Sequence, residues 1–99
     1  PMPKASEITL ATTLGKAEQV LSSSVDDGLL LMDMDTGDYH HFDDIASSIW
    51  SRIDGEKSVG DVCLELQDEF QVDPAQCEED TLEFLRQAHR ANLVADQSA

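Results

Sequence analysis

The side chains that could carry catalysis or bind a metal in this sequence are three histidines, two cysteines and one acidic run. His40 and His41 are neighbours in a strand-like segment, and neighbouring side chains on a strand point to opposite faces. They cannot bind one metal ion together without distortion, and a zinc site would need two further ligands from the helices. The acidic run 78–80 opens a helix, where the helix dipole favours a solvated negative face. We therefore predict no metal site and no cofactor.

The sequence also lacks the motifs of common enzyme classes. It contains no Gly-rich phosphate loop, no Gly-x-Ser-x-Gly elbow and no Cys-x-x-Cys pair. Cys63 and Cys77 fall in predicted helix interiors and have no electropositive neighbours in the sequence, so we interpret them as small buried apolar residues rather than as a nucleophile or a disulfide. We predict that the protein is not an enzyme.

The charge balance narrows the classes of partner. With 6 Lys and Arg against 21 Asp and Glu, the 99-residue chain has a formal net charge of −15. Such a charge repels nucleic acid and anionic lipid. No apolar run approaches the length of a membrane span and no signal peptide is apparent, so we expect a cytoplasmic protein without a membrane partner.

The pattern of apolar residues predicts strands first and helices afterwards. Turn signals at 25–28 and 35–38 separate three strand-like segments, the last being Tyr39 to Phe42. Apolar spacings of three and four then indicate three helices, with Asp43 or Asp44, Ser58 and Asp73 as N-caps. We predict an α+β, winged-helix-like fold, in which a three-stranded antiparallel sheet is followed by three helices. The expected domain spans 17–95, after a flexible lead-in (1–16) and before a disordered tail (96–99).

A winged-helix arrangement suggests DNA binding, and this alternative must be weighed against the charge. The helix in the place of a recognition helix carries five acidic residues between Asp73 and Glu83, and only Arg86 and Arg90 oppose them. Such a face would be repelled by a major groove, so we disfavour a DNA-binding function.

An interaction surface remains as the strongest hypothesis. The third strand is expected at a sheet edge, and an open edge can accept an added strand from a peptide or from a second copy of the chain. The last helix offers a neighbouring face, and together they predict a peptide-binding groove. The candidate residues are Tyr39, His40, His41, Phe42, Leu82, Leu85, Arg86 and His89. Phe42, Leu82 and Leu85 could equally belong to the core. We expect a monomer or a weak dimer through the open edge.

The chain resembles the PqqD-like proteins, also called RiPP recognition elements. The resemblance rests on the strand-turn-strand from Leu30 to Phe42, on Ile45 through Trp50 to Asp54-Gly55, on Ser58 to Val62, on Phe70 to Pro74 and on Asp80 to Leu85 with Asn92 to Val94. Within the family, the chain is most similar to the stand-alone leader-binding proteins of lasso-peptide biosynthesis.

The resemblance implies a domain that binds the leader of a ribosomally made precursor peptide without chemistry of its own. The leader would add as a strand beside Tyr39 to Phe42 and pack on the last helix, for delivery to a separate leader peptidase and cyclase. The alternative within the family is a peptide chaperone for a radical-SAM enzyme.

Overall fold

The computed structural model describes residues 8–97, which form an α+β fold. The elements in chain order are β1 (Leu14–Lys16), β2 (Val20–Val25), β3 (Gly28–Asp33), β4 (Tyr39–Phe42), α1 (Asp44–Ser51), α2 (Val59–Phe70), α3 (Pro74–Arg90) and β5 (Val94–Asp96). The predicted three-stranded sheet and three helices are confirmed. No helix within the described range is long and apolar enough to cross a membrane.

The three-stranded sheet is an antiparallel meander in the order β2-β3-β4. Its second turn is closed by the buried carboxylate of Asp33, which accepts the backbone N–H groups of Asp35 and Thr36 at 2.9 and 3.3 Å. This satisfied carboxylate fixes the direction in which the chain enters β4, and β4 is left at the edge of the sheet.

Each helix begins at a side-chain cap that the sequence indicates. Asp43 accepts the N–H of Ala46 before α1, and Asp73 accepts the N–H of Gln76 before α3. Ser58 and Asp61 form a reciprocal capping box at the start of α2. These caps satisfy backbone donors that would otherwise lack intrahelical partners, and they define where each helix starts.

The core lies between the sheet and the helices. Leu31 and Phe42 from the sheet, Trp50 from α1 and Leu85 from α3 are buried in it. The Phe42 ring packs edge-on against Trp50 and Phe84, with centroid distances of 5.8 and 5.0 Å. This aromatic cluster joins β4 to α1 and α3. Cys63 and Cys77 are buried free thiols, and the Cys77 thiol donates to the backbone carbonyl of Cys63 at 3.9 Å.

The two ends of the described chain differ from the expected flexible lead-in and tail. Strand β1 pairs with β5 in a second, two-stranded sheet, with Leu14 opposite Asp96. Ile8 and Leu14 are buried in the core, and the N–H of Gln97 donates to Thr13. Strand β1 was not predicted because three residues are too few to show an alternating pattern, and its partner β5 lies some eighty positions away in the sequence. The remaining parts of the expected lead-in and tail, 1–7 and 98–99, lie outside the described residues.

Candidate functional site

The backbone of β4 has one paired side and one open side. Asp33 N–H donates to Asp38 and Met34 N–H donates to Gln19, so odd-numbered residues of β3 bond to β4 and even-numbered residues bond to β2. Hydrogen-bonded and non-hydrogen-bonded pairs alternate along an antiparallel ladder, and so His40 and Phe42 are bonded to β3. The N–H and C=O groups of Tyr39 and His41 therefore point to the outer edge, where no strand of residues 8–97 pairs with them.

A cavity of about 190 Å³ lies beside this edge, between β4 and the C-terminal half of α3. Its lining comes from β4 (His40, Phe42), α3 (Phe84, Gln87, Ala88) and the turn that follows (Ala91, Leu93). The Phe42 and Phe84 rings in this lining contact each other edge-on, with centroids 5.0 Å apart. We call this cavity, with the open edge of β4, the edge groove.

The predicted site residues on β4 reach the edge groove in different ways. His40 and Phe42 contribute side chains to its lining, and Tyr39 and His41 contribute backbone groups to its edge. The His41 side chain points to the other face of the sheet, where its Nε2 lies 3.1 Å from the Asp27 carboxylate.

The predicted residues on α3 do not line the edge groove, and their contact with a bound peptide stays a prediction. Leu85 is 0% exposed and belongs to the core. At about 100° per residue, Leu82, Arg86 and His89 point roughly 150° or more away from the mean direction of the groove-lining side chains Phe84, Gln87 and Ala88. Arg86 donates to the backbone carbonyl of Ile8 at 2.8 and 3.2 Å, so the chain's own N-terminal segment contacts this side of α3.

Five groove residues were absent from the predicted site: Phe84, Gln87, Ala88, Ala91 and Leu93. A signal for them exists, since Phe84, Ala88 and Ala91 are spaced at i, i+4 and i+7 and form one apolar stripe. Small residues at two of these positions leave room beside the helix.

No group of His, Cys, Asp or Glu within residues 8–97 is arranged to hold a metal ion. Burial raises the pKa of the Cys63 thiol above its usual value, which keeps it protonated and poorly nucleophilic at neutral pH.

The outward face of the sheet is a second apolar surface. Leu21, Met32 and Tyr39 are cross-strand partners in one row, and Leu21 and Tyr39 are 55% and 65% exposed. Tyr39 therefore belongs both to the groove edge, by its backbone, and to this outward face, by its side chain.

Comparison with known proteins identifies the family. The sequence profile of Coenzyme PQQ synthesis protein D (PqqD) matches residues 28–94, which include β3, β4 and all three helices. The chain belongs to the PqqD family. No curated protein matches this PqqD-family chain.

Two solved structures share the fold of this PqqD-family chain. "TbiB1 in Complex with the TbiA(beta) Leader Peptide" is 29% identical, with a TM-score of 0.74 over 81% of this chain and 93% of the other. "Lasso peptide synthetase B1 complexed with the leader peptide" is 22% identical, with a TM-score of 0.75 over 83% of this chain and 96% of the other. Both are described as leader-peptide complexes.

Proposed function

We propose that this chain binds the leader segment of a ribosomally synthesised precursor peptide in the edge groove and performs no chemistry on it. The observation that carries the proposal is the edge of β4, which no strand among residues 8–97 pairs with, beside an open groove on α3. Tyr39 and His41 together offer two N–H donors and two C=O acceptors to a peptide that adds as a fourth strand.

Side-chain alternation would supply the specificity of such a complex. Every second side chain of the added strand points toward α3 and enters the groove, where Phe42, Phe84 and Ala88 provide apolar walls. Gln87 and His40 provide polar groups for orientation. The likeness to two proteins described as leader-peptide complexes supports the same ligand class here.

A pair of substitutions at one position tests the added strand. His41→Ala removes the side chain and keeps the outward N–H, whereas His41→Pro removes the N–H as well. Titration of the cognate leader peptide by calorimetry should give near-normal affinity for His41→Ala and a loss of at least about tenfold for His41→Pro, which corresponds to about 1.4 kcal/mol. Equal affinities for the two variants would reject pairing at this edge.

A matched pair on α3 tests the groove. Ala91→Trp should fill the cavity and weaken leader binding, whereas Ala75→Trp places the same exposed side chain at the other end of the helix, outside the edge groove. The amide chemical shifts of the two variants without peptide are the control for retention of the fold. Equal leader affinities for the two variants would show that the cavity takes no part.

The proposed function also requires an enzyme that receives the bound leader. We infer that the domain delivers the leader to a separate leader peptidase of a lasso-peptide pathway, and that the outward apolar face is where this enzyme docks. The face continues directly from the peptide-binding edge through Tyr39, and exposed Asp26, Asp27 and Asp35 at its rim favour a partner with basic residues around an apolar centre.

Substitution of the outward face separates docking from leader binding. Leu21→Asp should leave the affinity for the leader unchanged and slow leader cleavage by the cognate peptidase. If the cognate enzyme were a radical-SAM protein instead, the same variant would slow peptide modification. Unchanged turnover with Leu21→Asp would exclude this face as the docking surface.

A further inference from the structure

A second apolar cavity opens at the other end of α3. It has a volume of about 340 Å³ and lies where the start of α1, the end of α2 and the start of α3 meet. Its apolar lining is Ile45, Leu66, Phe70, Val72 and Cys77, and Asp73, Gln76 and Asp80 stand at its polar side. We call it the α1–α3 cleft.

The α1–α3 cleft continues the line of the edge groove. His40 lies in the groove with Gln87 and Ala91, and Phe42, two residues further along β4, contacts Phe84. Strand β4 therefore runs along α3 toward the N-terminal end of that helix. The same direction leads into α1, whose Ile45 lines the cleft with Cys77 and Asp80. A peptide strand that follows β4 would therefore pass from the first cavity to the second.

The cleft has the character of a binding surface rather than of a packing void. Ile45 is 48% exposed and Val72 is 39% exposed, although both are aliphatic and stand beside the buried side chains of Leu66 and Cys77. An added apolar side chain would remove these groups from water, with a gain of roughly 25 cal/mol for each Å² covered.

We propose that the α1–α3 cleft receives a second bulky apolar side chain of the same peptide that occupies the edge groove. The centres of the two cavities are about ten residues apart on α3, or about 15 Å. An extended strand covers that distance in about four or five residues, and side chains on one face recur at every second position. The recognised peptide thus carries two large aliphatic or aromatic residues about four positions apart.

The charges at the cleft add a second feature to the peptide. Asp73 and Asp80 place two carboxylates beside the cavity, and no basic side chain from the described part of the chain (8–97) lines it. Lys or Arg next to the second anchor would gain attraction there, and this attraction weakens with salt because both carboxylates are exposed.

Selection of a random peptide library on phage tests this inference, which rests on the proposed peptide-binding function. The library is panned against the wild-type chain, against Ile45→Asp in the cleft and against the matched Leu64→Asp. Leu64 is 64% exposed on α2 and lines neither cavity. His41→Pro, which lacks the outward N–H of β4, gives the level of enrichment that is expected without strand addition. Val72→Asp serves as a second cleft variant if Ile45→Asp fails to fold.

Two enriched apolar positions about four residues apart are expected for the wild type and for Leu64→Asp. The second of them should disappear for Ile45→Asp. In a synthetic peptide from the wild-type selection, alanine at the second anchor should cost at least about tenfold in affinity on the wild type and little on Ile45→Asp, because the two changes remove the same contact.

The other outcomes separate the two proposals. A single enriched position in the wild type, lost with His41→Pro, would overturn the second anchor and leave the strand-addition function intact. A second position that survives in both cleft variants would also overturn it. If the wild-type chain enriches no peptide more strongly than His41→Pro does, strand addition is rejected, and the second anchor is rejected with it.

Discussion

Among the glycines, Gly28 has the least room for a side chain, and it lies against the backbone of β4. A Cβ at this position would overlap the backbone carbonyl of Phe42, which also accepts the Ser47 hydroxyl. Because Phe42 lines the edge groove, the start of β3 and the shape of the groove depend on the same close approach. The sequence indicated that a turn needs a glycine here, but it gave no sign of this contact with β4.

Replacement of Gly28 by alanine should destabilise the fold and distort the groove together. We expect Gly28→Ala to cost about 1–3 kcal/mol of unfolding free energy, as for other overpacked positions. Gly37→Ala is the control, since Gly37 has φ +80° but no atom near its absent side chain, and only backbone strain of about 1–2 kcal/mol applies. Urea unfolding measures both. A leader affinity unchanged in Gly28→Ala would contradict the link to the groove.

Asp54 gives a pH-dependent contribution to stability. Its carboxylate accepts the N–H groups of Lys57 and Glu56, both at 2.9 Å, and these bonds lower the pKa of Asp54 below its usual value. A carboxyl group with a lowered pKa in the folded state stabilises the fold above its unfolded pKa, and this stabilisation is lost as the pH falls through the folded pKa. The stability difference between wild type and Asp54→Ala should therefore shrink from about pH 5 to about pH 2. A constant difference in urea unfolding across that range would contradict it.

Helix α3 shows how far an element could be predicted. Its N-cap at Asp73 follows from local chemistry and is as expected. Which face meets β4 depends on packing with α2, with the sheet and with the segment that carries Ile8. Helix α3 has apolar side chains on two faces, and its local sequence does not encode these distant contacts. The sequence alone therefore does not determine which of the two faces meets β4.

The burial of Leu85 determines what its substitution should do to stability. Leu85 is fully buried, so Leu85→Ala should cost about 2–5 kcal/mol of unfolding free energy. Leu82→Ala should cost less, because Leu82 is only partly buried. Thermal unfolding followed by circular dichroism compares them. A stable Leu85→Ala variant that has lost leader binding would instead restore Leu85 to the groove.

At the scale of the whole molecule, residues 8–16 are part of the domain. A chain that begins at Ala17 loses β1 and the buried side chains of Ile8 and Leu14. Two such side chains contribute about 3–6 kcal/mol, a large part of the stability of a small domain. We expect a markedly lower unfolding midpoint, and the double variant Ile8→Ala with Leu14→Ala should reproduce most of the loss. An unchanged midpoint would show that the segment only rests on the surface.

The pairing of β1 with β5 has a topological consequence. It brings Leu14 opposite Asp96 and ties Thr13 to Gln97, so the C-terminal end of the described chain lies beside β1 rather than beside Ile8, which contacts Arg86 on α3. A circular permutant that opens the chain in the exposed Asp26-Asp27 turn therefore needs a flexible linker long enough to reach from Gln97 past β1 to Ile8, and it would keep every pairing of β3 with β4 and of β4 with α3. We expect the edge groove to form in this permutant, although the strands and helices then follow another order along the chain.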